Sequence, residues 1–241
     1  MRRLTILSTK KLIPAIIKDA AKEGIEIIEQ EAIKIEPIST GEKCAAIACY
    51  YNHTYAVFTS ANAVTSVYNC YVSEGSATPL SWKIFSLAGK TKDSILNLNP
   101  FSCNRNLIGE AIDAVHLAKE IIRQGVKEIV FFCGDKRRNE LPTMLKDAGV
   151  LVHEVVVYKT VETPMVATEN INAVLFFSPS AVHSFFKVNQ LKMDTVCFAI
   201  GHTTAAAIKE YSTNKIVISN TPTQTSMLYE VTDYFKNLIH H

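Results

Sequence analysis

Short runs of β-branched and apolar residues recur along the chain, each bounded by glycine, proline or small polar residues. They predict strands at 5–8, 55–59, 83–87, 128–133, 152–158, 173–177, 195–199 and 215–219. Between them lie stretches with apolar positions three and four apart. In the stretch 111–123, Ile112, Val115, Leu117, Ala118, Ile121 and Ile122 form a broad apolar stripe, which predicts an amphipathic helix. Strands alternating with helices imply parallel sheets covered by helices on both faces, so the class is α/β.

The pattern also repeats. Phe58-Thr59-Ser60-Ala61-Asn62-Ala63-Val64 resembles Phe177-Ser178-Pro179-Ser180-Ala181-Val182, and Leu87-Ala88-Gly89-Lys90-Thr91 resembles Ala199-Ile200-Gly201-His202-Thr203-Thr204. In each case a strand runs through small residues into a helix, so two similar α/β lobes are expected. Two partly alternating segments, 32–37 and 155–164, each end at a proline, Pro37 and Pro164, which stops a strand from continuing. If the chain crosses between lobes at both places, these segments pair as a two-stranded connector. Lobe one is then 1–34 plus 165–241, lobe two is the inserted 38–157, and the connectors are 33–37 and 157–164.

Composition narrows the function. The 241 residues are 48% hydrophobic and 20% charged, the balance of a globular protein. No apolar run reaches about 18 residues and the N-terminus lacks a signal-peptide core, so a cytoplasmic protein without a membrane span is expected. A formal charge of +2, with no concentrated basic stripe, argues against nucleic acid. Lys136-Arg137-Arg138 reads as a solvated loop after a strand. The six cysteines show no metal-ligand spacing and read as free thiols packed as small hydrophobes. His53, His116, His153, His183 and His202 stand singly, so no metal is expected, and His240 and His241 are either native or a trimmed tag. No glycine-rich nucleotide fingerprint, P-loop or nucleophile elbow occurs, so no cofactor is expected.

What remains is a set of strand ends that turn into helix N-termini, where unpaired backbone N–H groups and the helix dipole favour an anion. They lie at Ser60, Gly89-Lys90-Thr91, Gly134-Asp135, Ser178-Pro179-Ser180, Gly201-His202-Thr203-Thr204 and Thr221-Pro222-Thr223. Each hydroxyl also reads as a simple N-cap. Six such turns spread over two lobes point to a multiply anionic ligand held between them. Asp135 reads either as a general acid or as a solvated loop carboxylate. Tyr158 lies in a crossing segment, where its phenol would face a cleft or pack.

The ordered set Phe58-Thr59-Ser60 with Ala63-Val64, Gly89 with Thr91, Cys133-Gly134-Asp135-Lys136-Arg137-Arg138 with Leu141-Pro142, Val157-Tyr158 with Thr160, Phe177-Ser178-Pro179-Ser180-Ala181-Val182, Ala199-Ile200-Gly201 with Thr203-Thr204-Ala205, and Pro222-Thr223 resembles the uroporphyrinogen-III synthase family. The resemblance spans about residues 4–230, and its specificity lies in the order of the motifs, each of which is short. Lys10 stands where members often have arginine, and His202 where they have proline. Lysine keeps the charge without the planar fork.

The resemblance implies two flavodoxin-like lobes with parallel sheets joined by a two-stranded β connector. It implies a lyase that cyclises hydroxymethylbilane, a linear tetrapyrrole with eight carboxylates, inverting ring D through a spiro intermediate and releasing water. It implies a monomer in porphyrin and heme biosynthesis, with substrate passed from hydroxymethylbilane synthase. Tyr158 is the expected catalytic residue, and Ser60, Thr91, Ser178, Ser180, Thr203 and Thr223 the expected substrate-binding residues. The alternatives are a non-catalytic two-lobed binding protein for an anionic small molecule, and a different two-lobed α/β enzyme for a phosphorylated or nucleotide substrate.

Overall fold

A computed structural model describes residues 4–38, 54–73, 81–98, 106–167 and 170–239. Cys44, Cys49, Cys103, His53, His240 and His241 lie outside them. The chain divides into two units, Met1–Lys34 with Val161–His241 (lobe one) and Ile35–Thr160 (lobe two).

In chain order, β1 (Leu4–Ser8), α1 (Pro14–Lys22) and β2 (Ile25–Glu29) open lobe one, and β3 (Ile33–Pro37) leaves it. Lobe two follows as β4 (Tyr55–Phe58), α2 (Ala61–Ser73), β5 (Lys83–Leu87), α3 (Lys90–Asn97), β6 (Leu107–Ala111), α4 (Ala114–Arg123), β7 (Glu128–Gly134), α5 (Glu140–Asp147) and β8 (Leu151–Glu162). The chain then returns through β9 (Ala173–Phe176), α6 (Pro179–Phe186), β10 (Val196–Ala199), α7 (His202–Lys209), β11 (Ile216–Ile218) and α8 (Gln224–Ile239).

Lobe one has the sheet order β11-β10-β9-β1-β2, every neighbouring pair parallel, which is the flavodoxin-like order. Lobe two has the order β3-β8-β7-β4-β5-β6. Its first parallel strand, β4, lies between β5 and β7, so its strand order reverses there. The crossings pair as well. Thr163 N–H donates to the Ala32 carbonyl at 2.9 Å and Ile38 N–H to the Val157 carbonyl at 2.9 Å. As one strand advances from 32 to 38 its partner falls from 163 to 157, so β3 and β8 run antiparallel, as a two-stranded connector requires.

Both sheets are cores because adjacent strand residues point to opposite faces. In β7, Phe132 packs with Phe58, Trp82 and Val64 under α2, while Phe131 packs with Phe85, Leu117 and Leu145 under α4 and α5. In lobe one, Leu175 and Phe198 join Ile16 of α1 and Met227 of α8, while Phe176 and Cys197 join Val182 of α6 and Ile208 of α7. Helices thus cover both faces of both sheets, and the central strands β4, β7, β9 and β10 are almost wholly buried.

The sequence pattern misplaces a few elements. β2 and β6 are short strands it does not mark. β6 contains Gly109 and Glu110, and β2 has two glutamates among three isoleucines. The helix expected from 111 begins at Ala114, because Asp113 takes the cap position and its carboxylate accepts the His116 N–H at 2.8 Å. Ile112 is consequently outside the stripe and 80% exposed. Cys133 and Cys197 are buried free thiols, raised by burial to about 11 and about 12. Cys70 is disulfide-bonded, unlike the free thiols expected.

Candidate active site

Open parallel sheets bind ligands at the C-terminal ends of the strands, where the strand order reverses. In lobe two that point lies between β4, which runs out through Thr59 and Ser60, and β7, which ends at Gly134. A pocket of about 390 Å3 opens there, lined by Thr59, Ser60, Gly134, Arg137, Arg138 and Tyr158, with Leu87, Ile112 and Leu141 as apolar walls. Recesses of about 440 and 580 Å3 lie at the opposite ends of strands, along Gly125–Val130 and along the turns before β10 and β11. No strand end meets a helix N-terminus in either, so the smaller pocket is the better candidate.

Tyr158 reaches this pocket because of a register shift. β7 and β8 pair in step from Glu128 opposite Leu151 to Cys133 opposite Val156, and then Gly134 faces Tyr158, skipping Val157. Val157 stays buried in the core while the phenol turns to the pocket. Tyr158 Oη donates to Ser60 Oγ at 3.2 Å, and the same oxygen accepts the Asn62 N–H at 3.2 Å at the start of α2. Burial pushes the phenol above its ordinary value; the hydrogen bond to Ser60 opposes this, and Cys133 and Asp135 add to the upward push. Tyr158 therefore remains a neutral donor at physiological pH.

The basic loop after β7 is only partly solvated. Arg137 bonds the Glu154 carboxylate and donates to Asn139 Oδ1 at 2.9 Å, and Lys146 Nζ lies 2.8 Å from Glu154. Burial works to raise the Glu154 carboxyl, but the bonds from Lys146 and Arg137 outweigh it and hold it low. Lys136 and Arg138 are exposed, as expected, with Arg138 on the pocket wall. Asp135 is exposed, and its carboxylate accepts the Thr160 N–H at 2.8 Å.

The other expected binding residues divide into two kinds. Ser178 Oγ caps α6, accepting the Ala181 N–H at 3.2 Å, and Thr223 Oγ1 caps α8, accepting the Ser226 N–H at 3.1 Å. Ser180 is half-buried in the first turn of α6, and Thr203 is exposed in the first turn of α7. These four residues lie beyond the C-terminal ends of β9, β10 and β11 in lobe one. Thr91 lies in the first turn of α3 and is only 6% exposed, a position that suits packing better than ligand contact. Of the seven residues, the fold brings Ser60 and Tyr158 into direct contact. Lys10 and His202 are exposed, at the end of β1 and the first position of α7. Among the described residues no cluster of three or more His, Cys, Asp or Glu could hold a metal, and no helix is long and apolar enough to cross a membrane.

The family model for uroporphyrinogen-III synthase HemD matches residues 15–229. The chain belongs to the uroporphyrinogen-III synthase family. Among solved structures it is similar to a mutant uroporphyrinogen III synthase from the extremely thermophilic bacterium Thermus thermophilus, with a TM-score of 0.66 and 14% identity, covering 97% of this chain and 99% of that one. It is equally similar to uroporphyrinogen-III synthetase from Helicobacter pylori, at 0.66 and 14%, covering 96% and 99%. At that identity the likeness speaks for the two-lobed fold. No curated protein matches the sequence.

In this uroporphyrinogen-III synthase family member Gly134, which the sequence marks among the candidate strand-end turns, lines the pocket, and so does Ile112, which the sequence pattern places in a helix stripe. The available signal for Gly134 was its place at the end of a buried strand, one residue before the loop.

Proposed function

We propose that the chain is a uroporphyrinogen-III synthase that works on hydroxymethylbilane with Tyr158 as its catalytic residue. The family match carries the activity, and one observation carries the site. A neutral phenol stands in the pocket at the strand reversal of lobe two, beside a capped helix N-terminus and two arginines.

The reaction begins as the terminal C–O bond breaks. The electron-rich pyrrole supplies electrons, the oxygen takes a proton and leaves as water, and an azafulvene cation remains. Attack from the substituted carbon of ring D gives a spiro intermediate. Its fragmentation and recombination turn ring D around before the macrocycle closes and a proton returns from carbon. Tyr158 donates its hydrogen bond, or its proton, to the departing oxygen. The substrate can close unaided without inversion, so orientation is the protein's main contribution. Ser60, Ser178, Ser180, Thr203 and Thr223, with the N–H groups beside them, hold carboxylates and pyrrole edges. Thr91 supports its helix from within. We also propose a monomer acting in the cytoplasm, supplied with substrate by hydroxymethylbilane synthase.

The test generates hydroxymethylbilane in situ and separates the oxidised uroporphyrin isomers. Isomer III is expected with the protein, and isomer I alone from folded protein would promote a binding role instead. Tyr158→Phe is expected to lower kcat on the order of 100-fold while leaving some isomer III.

A further inference from the structure

Gly134 has no obvious backbone reason to be glycine. It is not among the residues with positive φ, so its conformation is open to any side chain. Space is what excludes one. A Cβ built there would lie 2.4 Å from Tyr158 Cζ, 2.5 Å from Cε2 and 2.7 Å from the phenol oxygen, distances at which the ring must move. The phenol lies directly against the Gly134 backbone, across the register shift that faces the two residues.

The next residue fixes the strand that carries the ring. Asp135 N–H donates to the Tyr158 carbonyl at 3.1 Å, and the Asp135 carboxylate accepts the Thr160 N–H at 2.8 Å. β8 is thus tied at Tyr158 and two residues beyond. That engagement, together with exposure, makes Asp135 a poor general acid and a good anchor.

Lobe two contains the same device once more. A Cβ on Gly109 would lie 2.5 and 2.7 Å from ring carbons of Phe85, again beside a register shift. Phe85 is fully buried and faces only core. A glycine under a neighbouring strand's aromatic ring is therefore a means of fixing the ring, and at Gly134 the ring held carries a hydroxyl that opens on a pocket.

We propose that Gly134 and Asp135 are positioning residues for the Tyr158 phenol, the glycine by leaving the volume the ring occupies and the aspartate by tying down the strand beneath it. The proposal rests on the catalytic reading of Tyr158.

A double-mutant cycle in the isomer-resolved assay tests it. Gly134→Ala is expected to lower kcat roughly 10- to 100-fold with KM unchanged. In a Tyr158→Phe background the same substitution is expected to cost nothing further, because no hydroxyl remains to misplace. Equal losses in both backgrounds, or no loss in either, would overturn the proposal by making Gly134 merely structural. Asp135→Ala is expected to behave likewise, while Asp135→Asn, whose amide oxygen still accepts from Thr160, should retain most of kcat. If Gly134→Ala does not fold, the Asp135 pair in the two backgrounds decides by the same criterion. Wild-type turnover by Tyr158→Phe alone would instead remove the catalytic reading, an outcome distinct from loss of the positioning role.

Discussion

The Tyr158 phenol is raised by burial, with Cys133 and Asp135 adding to the rise and Ser60 opposing it. A phenol pushed above its ordinary value of 10.0 is protonated through the acid and neutral range. In the role proposed for Tyr158 the protonated form is the donor, so the activity it would support persists at low and neutral pH and falls only as pH rises through the raised value. A pH profile of kcat is expected to show no alkaline limb from this group below pH 10. A limb at lower pH that vanishes in Tyr158→Phe would contradict this account. The sequence pointed to Tyr158 through its place in a crossing segment. It marked Gly134 as a strand-end turn but not the need for glycine there, which arises from a ring 24 positions away that only strand pairing brings close. Gly89 differs: its φ of 72° demands glycine locally, and a strand-to-helix turn at that place was legible.

Secondary elements were read most reliably where burial is two-sided. β4, β7, β9 and β10 are almost wholly apolar because helices cover both faces, and the sequence marks them plainly. β2 and β6 are edge strands with charged or glycine positions, and nothing local separates them from loop. The repeated strand–turn–helix pattern proved to be two real pairs of units, since β4 pairs with β5 and β9 with β10. Hydroxyls at those turns serve two masters at most. Ser178→Ala is expected to destabilise the protein by about 1 kcal/mol through loss of the α6 cap, measured by urea unfolding. If its hydroxyl also meets substrate, KM rises in the same variant, whereas a pure cap leaves KM untouched.

For the whole molecule, the two lobes and their double crossing were legible from the echoes and the two proline-terminated segments. The strand order of lobe two was not, because order depends on which strands pair and no local pattern encodes it. In lobe two, Asp113 is lowered by the His116 backbone N–H that it caps, and Glu120 is lowered to about 2 by Arg123 and Gln124. Glu154 is also held low, by Lys146 and Arg137 against its burial. Depressed carboxylates contribute stability above their unfolded values and lose it as pH falls through the folded ones. The urea midpoint of lobe two is therefore expected to decline between pH 4.5 and about 2. A flat midpoint across that range would show these contacts to be energetically idle.

The chain has one tryptophan, and the fold assigns it to lobe two alone. Trp82 is 1% exposed, stacked on Phe132 at 5.1 Å and tilted against Phe58 at 6.3 Å. Indole emission is thus a private reporter on one half of the protein, while circular dichroism sums over both. A melt in which ellipticity falls before the emission maximum moves to the red locates the weaker half in lobe one, with no label attached and no residue changed.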